Sequence, residues 1–282
     1  MAHRNDVLPA TETLGALIRF KNSAATLPAV LAALKAQTRL PDIILGIDSG
    51  STDGSPALLE AAGGRIIRWS APYHHSKVLN FGLAQCPAER VLVLSSHTVL
   101  ESRDALAKLD AALNDPRVAC ASSPWDDDPF YSDAITWEEL RAKGLKLGSF
   151  YSNSFGLLRR RLWEDAPFDE SLPTMEDYDW AIKQVRRGFV CRRVRFDFNY
   201  QRQANTRDFI FTACAFRLAA RHRLRVRWLG RKSSAVELVR LTIALCSRQS
   251  SPTDRTAWEM HRARLLASLF WRFNRATTDR PE

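Results

Sequence analysis

Ile43-Ile44-Leu45-Gly46-Ile47-Asp48-Ser49-Gly50-Ser51-Thr52-Asp53-Gly54-Ser55 decides the fold. Its first five residues are apolar, partly β-branched and uncharged, as in a strand buried on both faces, and the run stops at Asp48. Gly50 and Gly54 permit a tight turn, and Ser55 before Pro56 reads as a helix N-cap with proline at the first helical position. Strand, turn and helix in that order put Asp48, Ser49 and Asp53 at the carboxyl end of a strand. Open α/β sheets bind their ligands at that edge.

The same alternation extends outward. Leu14 to Phe20 reads as a first buried strand, and a helix opens at Thr26 and Pro28 and runs to about Gln37, with Leu27, Val30, Leu31 and Leu34 at helical spacing. Gly63-Gly64 ends the second helix, and Arg65 to Trp69 is a third strand. A fourth strand, Arg90 to Leu100, carries a polar corner at Ser95-Ser96-His97. Val118 to Ser122 is a fifth strand and Phe189 to Phe196 a last one. Strands alternating with helices predict an α/β fold with a mostly parallel sheet and right-handed crossovers. Residues 123 to 149 are poorly patterned and read as a long loop over the site; its triplet Asp126, Asp127 and Asp128 reads as solvated, because three adjacent residues cannot all face one point.

A chain of 282 residues, 45% hydrophobic, can bury a full core. Its five cysteines are scattered and lack C-x-x-C pairing, which predicts reduced thiols in a cytoplasmic protein and argues against zinc or a disulfide framework. No apolar run approaches the roughly 18 to 20 residues of a membrane span, and the N-terminus lacks a signal-type segment. The net charge of +10 is uneven: residues 1 to 185 hold 19 Lys and Arg against 24 Asp and Glu, the remainder 22 against 7. The basic part from about residue 206 interleaves Phe209, Phe211, Phe216 and Leu218 with arginines, and spaces Trp258, Leu265, Leu266, Leu269, Phe270 and Phe273 like an amphipathic helix. Two readings stand for this tail: an interfacial helix on anionic lipid, or a helical cap with a solvated basic rim. Nucleic-acid binding is disfavoured, since no binding motif accompanies the charge.

The Asp-Ser-Gly-Ser-Thr-Asp-Gly turn resembles that of the family 2 glycosyltransferases, in the form of their rhamnosyltransferase-like branch. Two further stretches are similar to the family's: His75-Ser76-Lys77-Val78-Leu79-Asn80-Phe81-Gly82, and Thr174-Met175-Glu176-Asp177-Tyr178-Asp179-Trp180. Taken alone, Thr174 to Asp177 also approximates a capping box at a helix start. Three matches in family order argue for the resemblance over that reading.

The resemblance implies a GT-A domain over residues 1–205, with a basic helical extension over 206–282. It implies an inverting transfer of sugar from a nucleoside-diphosphate sugar to a hydroxyl of a glycan or lipid-linked acceptor, in cell-surface polysaccharide or glycolipid synthesis. The enzyme would be cytoplasmic and peripheral at the membrane. Asp177, beside Glu176, would be the general base. Asn22, Asp48, Ser49 and Asp53 would meet base and ribose. Lys77, Asn80, Ser96, His97 and Arg202 would lie near the diphosphate, and Asn153 and Trp180 near the donor sugar or acceptor. The family's Asp-x-Asp, which holds Mg²⁺ or Mn²⁺, is replaced here by Ser95-Ser96-His97. Three roles stay open for His97: metal ligand, direct contact with the diphosphate, or a structural group in an inactive site. The rival to the enzyme is a non-catalytic relative that binds a sugar nucleotide or a partner protein.

Overall fold

A computed structural model describes residues 12–125, 129–201 and 208–227, together with Val239, Thr242 and Arg262. β1 (Leu14–Phe20) leads to α1 (Leu27–Lys35), β2 (Ile43–Asp48) to α2 (Ser55–Ala61), and β3 (Arg65–Arg68) to α3 (His75–Gln85). There follow β4 (Arg90–Ser95), β5 (Thr98–Leu100), α4 (Ala105–Ala112) and β6 (Val118–Ser122). A middle region holds β7 (Ala134–Ile135), α5 (Trp137–Lys143) and β8 (Leu145–Lys146). The chain continues through β9 (Phe155–Arg159), α6 (Arg160–Asp165), α7 (Glu176–Arg186), β10 (Val190–Arg193), β11 (Phe198–Tyr200), α8 (Asp208–Arg221) and β12 (Val226–Arg227).

The main sheet has the order β3-β2-β1-β4-β9-β6-β10-β7. Its strands are parallel except β9, which runs against β4 and β6, and β7, which runs against β10. The order reverses at β1, so the carboxyl ends of β2, β1 and β4 flank a topological switch point. Because β9 is antiparallel, its amino end, just after Asn153 and Ser154, reaches that same edge. Both faces are covered. Leu14, Ala16, Ile18 and Phe20 of β1 pack with the helices α1, α2 and α4, while Leu17 points to the other core with α3 and α7. Gly82 lets α3 lie close on that second face: a Cβ there would come 2.3 Å from Ile47 Cδ1 and 3.0 Å from Leu17 Cδ1.

Three local expectations change. The fourth strand breaks at Ser96-His97, and β5 leaves the main sheet to pair with β11. Ser55 lies inside α2 with Gly54 at the N-cap, and the Ser55 hydroxyl donates to Asp53 Oδ1 in place of capping the helix. The 123–149 loop contains a helix, α5, capped by Thr136 Oγ1 accepting from Glu139 N at 3.3 Å. Only Leu140 of α5 is buried, so the helix leaves no apolar period in the sequence. The aspartate triplet and most of the basic tail, including Arg202, Trp258 and Phe273, lie outside the described residues. Among the described residues no helix is long and apolar enough to cross a membrane.

The described part of the tail is packed on the core. Cys214, Ala215, Leu218 and Ala219 of α8 share the core of α3 and α7, and β12 pairs with β8.

Candidate active site

The turn after β2 is fastened to the loop after β1. Asp48, buried at the strand end, accepts from Ser51 N at 2.8 Å through Oδ1. Asp53 Oδ2 accepts from Ala24 N at 3.0 Å, and its Oδ1 from Ser55 N at 3.0 Å and Ser55 Oγ at 2.5 Å. These bonds, Ser55 Oγ first, hold the Asp53 carboxyl below the usual carboxylate range. Asn22, with φ 49°, accepts from Thr52 N at 2.8 Å, and its own N–H donates to Ser51 Oγ at 3.0 Å. Asn22 and Asp53 therefore build the rim of the edge by joining two loops. Ser49 lies beside them, its Oγ buried and without a partner among the described residues.

Across the edge, α7 begins with its acidic pair. Met175 at the N-cap is left-handed, φ 66° and ψ 26°, and no side chain caps the helix, so Thr174 to Asp177 is not a capping box. A non-glycine residue in that region stores strain of order 1 kcal/mol, and such strain tends to collect at functional sites. Glu176 is buried, and Asn153 Nδ2 donates to its Oε1 at 3.3 Å. Asp177 is half-buried; its Oδ2 accepts from Asn153 N at 3.1 Å and its Oδ1 from Tyr178 N at 2.8 Å. Burial, and then the Glu176 charge, push the Asp177 carboxyl up to about 7, against the two backbone donors and Arg19. A fixed carboxylate poised near neutrality suits proton abstraction.

Arg19 was not among the residues singled out from sequence, and it joins the two halves. Its Nη1 donates to Asn153 O at 2.7 Å, so β1, the 153 loop and α7 are connected through one asparagine. The signal for it was a single charge inside Leu14-Gly15-Ala16-Leu17-Ile18-Arg19-Phe20. Asn153 also keeps a buried Oδ1 without a partner among the described residues.

At the corner after β4, Ser96 Oγ lies 2.9 Å from Ser23 Oγ, and Ser96 O accepts from Thr26 Oγ1 at 2.7 Å. His97 is half-buried, with Nδ1 3.4 Å from Thr26 Oγ1, and its carbonyl accepts from Gln201 N at 2.8 Å. Burial first, and the Arg19 charge second, lower its pKa, which leaves the imidazole neutral at pH 7. Magnesium and manganese favour carboxylate oxygens, and this corner presents hydroxyls and one imidazole next to an arginine. Among the described residues no three His, Cys, Asp or Glu gather around a point where an ion could sit. The residues at the Ser95-Ser96-His97 corner do not fit either ion.

Two expected substrate contacts lie elsewhere. Asn80 Nδ2 donates to Phe168 O at 2.9 Å and Glu170 Oε1 at 3.0 Å, and its Oδ1 accepts from Trp163 Nε1 at 2.9 Å and Phe168 N at 3.1 Å. With both donors and both lone pairs engaged, it ties α3 to the segment before α7. Trp180 is 1% exposed, its ring 6.0 Å from those of Tyr151 and Phe168, and it belongs to the core because the inner side of α7 faces the sheet. Lys77 is exposed in the first turn of α3, with no partner among the described residues.

With this geometry in view, the comparisons are consistent with one another. The model of the family described as Glycosyl transferase family 2 matches residues 16–220. The chain is 29% identical over 221 residues to the O-antigen chain rhamnosyltransferase RfbN of Salmonella typhimurium, covering 69% of this chain and 70% of that protein. Its fold is similar to that of the mannosyltransferase PcManGT from Pyrobaculum calidifontis, solved with GDP-Man and Mn²⁺. The TM-score is 0.59 at 16% identity, over 97% of this chain and 77% of the other. It is also similar to glucosyl-3-phosphoglycerate synthase from Mycobacterium tuberculosis, solved with Mn²⁺, UDP and glucosyl-3-phosphoglycerate. There the TM-score is 0.54 at 16% identity, over 76% of this chain and 81% of the other. The fold is of the GT-A type.

Proposed function

Because the chain belongs to glycosyl transferase family 2 and is a glycosyltransferase, we propose that it performs an inverting transfer with Asp177 as the general base. The observation that carries this reading is the Asp177 carboxylate pinned by Asn153 N and Tyr178 N at the ligand edge of the sheet, where burial and the Glu176 charge push it up to about 7. In the step, an acceptor hydroxyl gives its proton to Asp177 while its oxygen attacks the anomeric carbon. The nucleoside diphosphate leaves from the opposite face. Burial and the Glu176 charge raise the Asp177 pKa enough for it to hold a proton, while the Asn153 and Tyr178 N–H groups and Arg19 keep it low enough to be partly ionised at pH 7. Asp48 and Ser49, with the Asn22 to Asp53 rim, shape the place for base and ribose.

The similarity to a rhamnosyltransferase favours a deoxyhexose donor and a growing polysaccharide or lipid-linked glycan as acceptor. The enzyme would work at the cytoplasmic membrane face, the basic tail meeting anionic lipid, with residues 1–205 carrying the chemistry.

Transfer assays with UDP-, dTDP- and GDP-sugars test the reading. Asp177→Asn is expected to lower kcat by about 10²- to 10⁴-fold with nucleotide affinity kept, and NMR of the product is expected to show the inverted anomer. Nucleotide binding without turnover on any donor would favour the non-catalytic relative.

A further inference from the structure

When the bond between the anomeric carbon and the β-phosphate oxygen breaks, its electron pair stays on that oxygen. The site must meet the charge that builds there. The Ser95-Ser96-His97 corner lacks the carboxylates that would hold a divalent ion. The same edge carries a fixed cation of its own.

Alternation along β1 places Arg19 on the Leu17 side of the sheet, just beyond the buried core, and pairs it with Ser95 of β4. This is the strand at which the sheet order reverses. A cation in a buried strand is costly unless something anionic meets it. Arg19 makes no ion pair among the described residues. Its one side-chain bond among the described residues, Nη1 to Asn153 O, is to a carbonyl and fixes the plane of the group, leaving its other N–H donors unengaged there. Its charge acts on Asp177 at the start of α7 and on His97 at the corner after β4, lowering the pKa of each. Asn153, whose carbonyl holds Arg19, has a buried Oδ1, and Ser49, at the end of the strand beside β1, a buried Oγ; neither has a partner among the described residues, as in a region built for a polar ligand.

We infer that the Arg19 guanidinium stands in for a divalent ion at the β-phosphate of the leaving nucleoside diphosphate. The inference rests on the transferase reading above. Arg19 stays protonated throughout: the acceptor's proton goes to Asp177, the new bond joins acceptor oxygen to the anomeric carbon, and the departing oxygen keeps its electron pair against the guanidinium. A planar fork with several donors suits a phosphate better than a point charge does.

Calorimetry on the full chain tests this with UDP, dTDP, GDP and CDP, each against its own nucleoside, in EDTA and in Mn²⁺. The diphosphate that binds is expected to do so in EDTA within about threefold of its Kd in Mn²⁺, and turnover is expected to survive EDTA. In Arg19→Gln the diphosphate should weaken tenfold or more while the nucleoside is unchanged, and kcat should fall about 10²- to 10³-fold. Arg19→Lys should recover part of the affinity. Equal losses for nucleoside and diphosphate in Arg19→Gln would mean that Arg19 only supports the Asn153 loop, and would overturn the inference. So would a wild-type enzyme that needs Mn²⁺, a measurement that requires no variant. Either failure leaves the role of Asp177 intact, which Asp177→Asn tests separately. Absence of binding by all four diphosphates would overturn both.

Discussion

A carboxyl held near 7 is about half ionised at neutral pH, so a base at Asp177 makes kcat rise with pH through that value. Glu176 is the charge that raises it, and Asn153 Nδ2 donates to an oxygen that glutamine would keep. Glu176→Gln is therefore expected to move the acid limb of the pH profile downward. Arg19→Gln, which removes a stabilising cation, should move it upward; a limb unmoved in both variants would remove Asp177 from the base role. The raised value also bears on stability. The folded protein holds the Asp177 proton more tightly than the unfolded chain does, so stability is lost as pH rises from the ordinary carboxylate value of 3.8 towards 7. In Asp177→Asn that loss disappears, and its melting temperature relative to wild type should increase between pH 5 and pH 8, as calorimetric scans at the two pH values would show. Asp177 was legible in sequence because it sits in a short acidic string with a tryptophan behind it. Arg19 was not, because one arginine near a strand end resembles many solvated ones until its partner, 134 residues later, is in place.

The elements that were easiest to read are those with an apolar period. β1 and β6 occur over the expected residues, and the turn after β2 falls where its glycines put it. Those that were misread have signals that tertiary partners outweigh. The continuous apolar character of residues 90 to 100 hides a break, because β5 finds its partner in β11, a strand some hundred residues away. Asn80 resembles a ligand group in a helix, yet its four bonds go to residues 163 to 170. That assignment predicts a stability phenotype in place of a binding one. Asn80→Ala leaves Trp163 Nε1 and the Phe168 backbone without their partner, at a cost of about 2 to 3 kcal/mol. Urea titration should show that loss, and the Kd for the bound nucleoside diphosphate should match wild type wherever the variant is folded. A normal urea midpoint with weakened nucleotide binding would return Asn80 to the binding site.

At the scale of the whole molecule, the charge turns from acidic to basic after residue 185 and the family resemblance implies a boundary at residue 205, but packing continues across it. Asp179 of α7 is fully buried; His222 Nε2 lies 2.8 Å and Arg221 Nη1 3.3 Å from its Oδ1, and Lys183 Nζ 2.6 Å from its Oδ2. Burial works against its charge, yet His222 and then Lys183 hold the pKa below the usual value. Asp179 thus contributes stability above pH 3.8 that is lost as pH falls through its lower folded value. In His222→Ala that value rises, so acid unfolding followed by circular dichroism should begin at higher pH. Ending the chain at residue 206 goes further. It strips Asp179 of two of its three partners and uncovers the core surface beneath Cys214, Ala215, Leu218 and Ala219. Breaking buried charge pairs by removing a partner costs about 3 to 5 kcal/mol, and each buried leucine lost adds about 1.5 to 3 kcal/mol. Against a total stability of roughly 5 to 15 kcal/mol, the shortened chain is expected to be molten or insoluble, and adding Asp179→Asn should recover only the electrostatic part. A cooperative melt for residues 1–206 at the full-length temperature would show instead that α8 is an appendage, and that Asp177 is held in place without it.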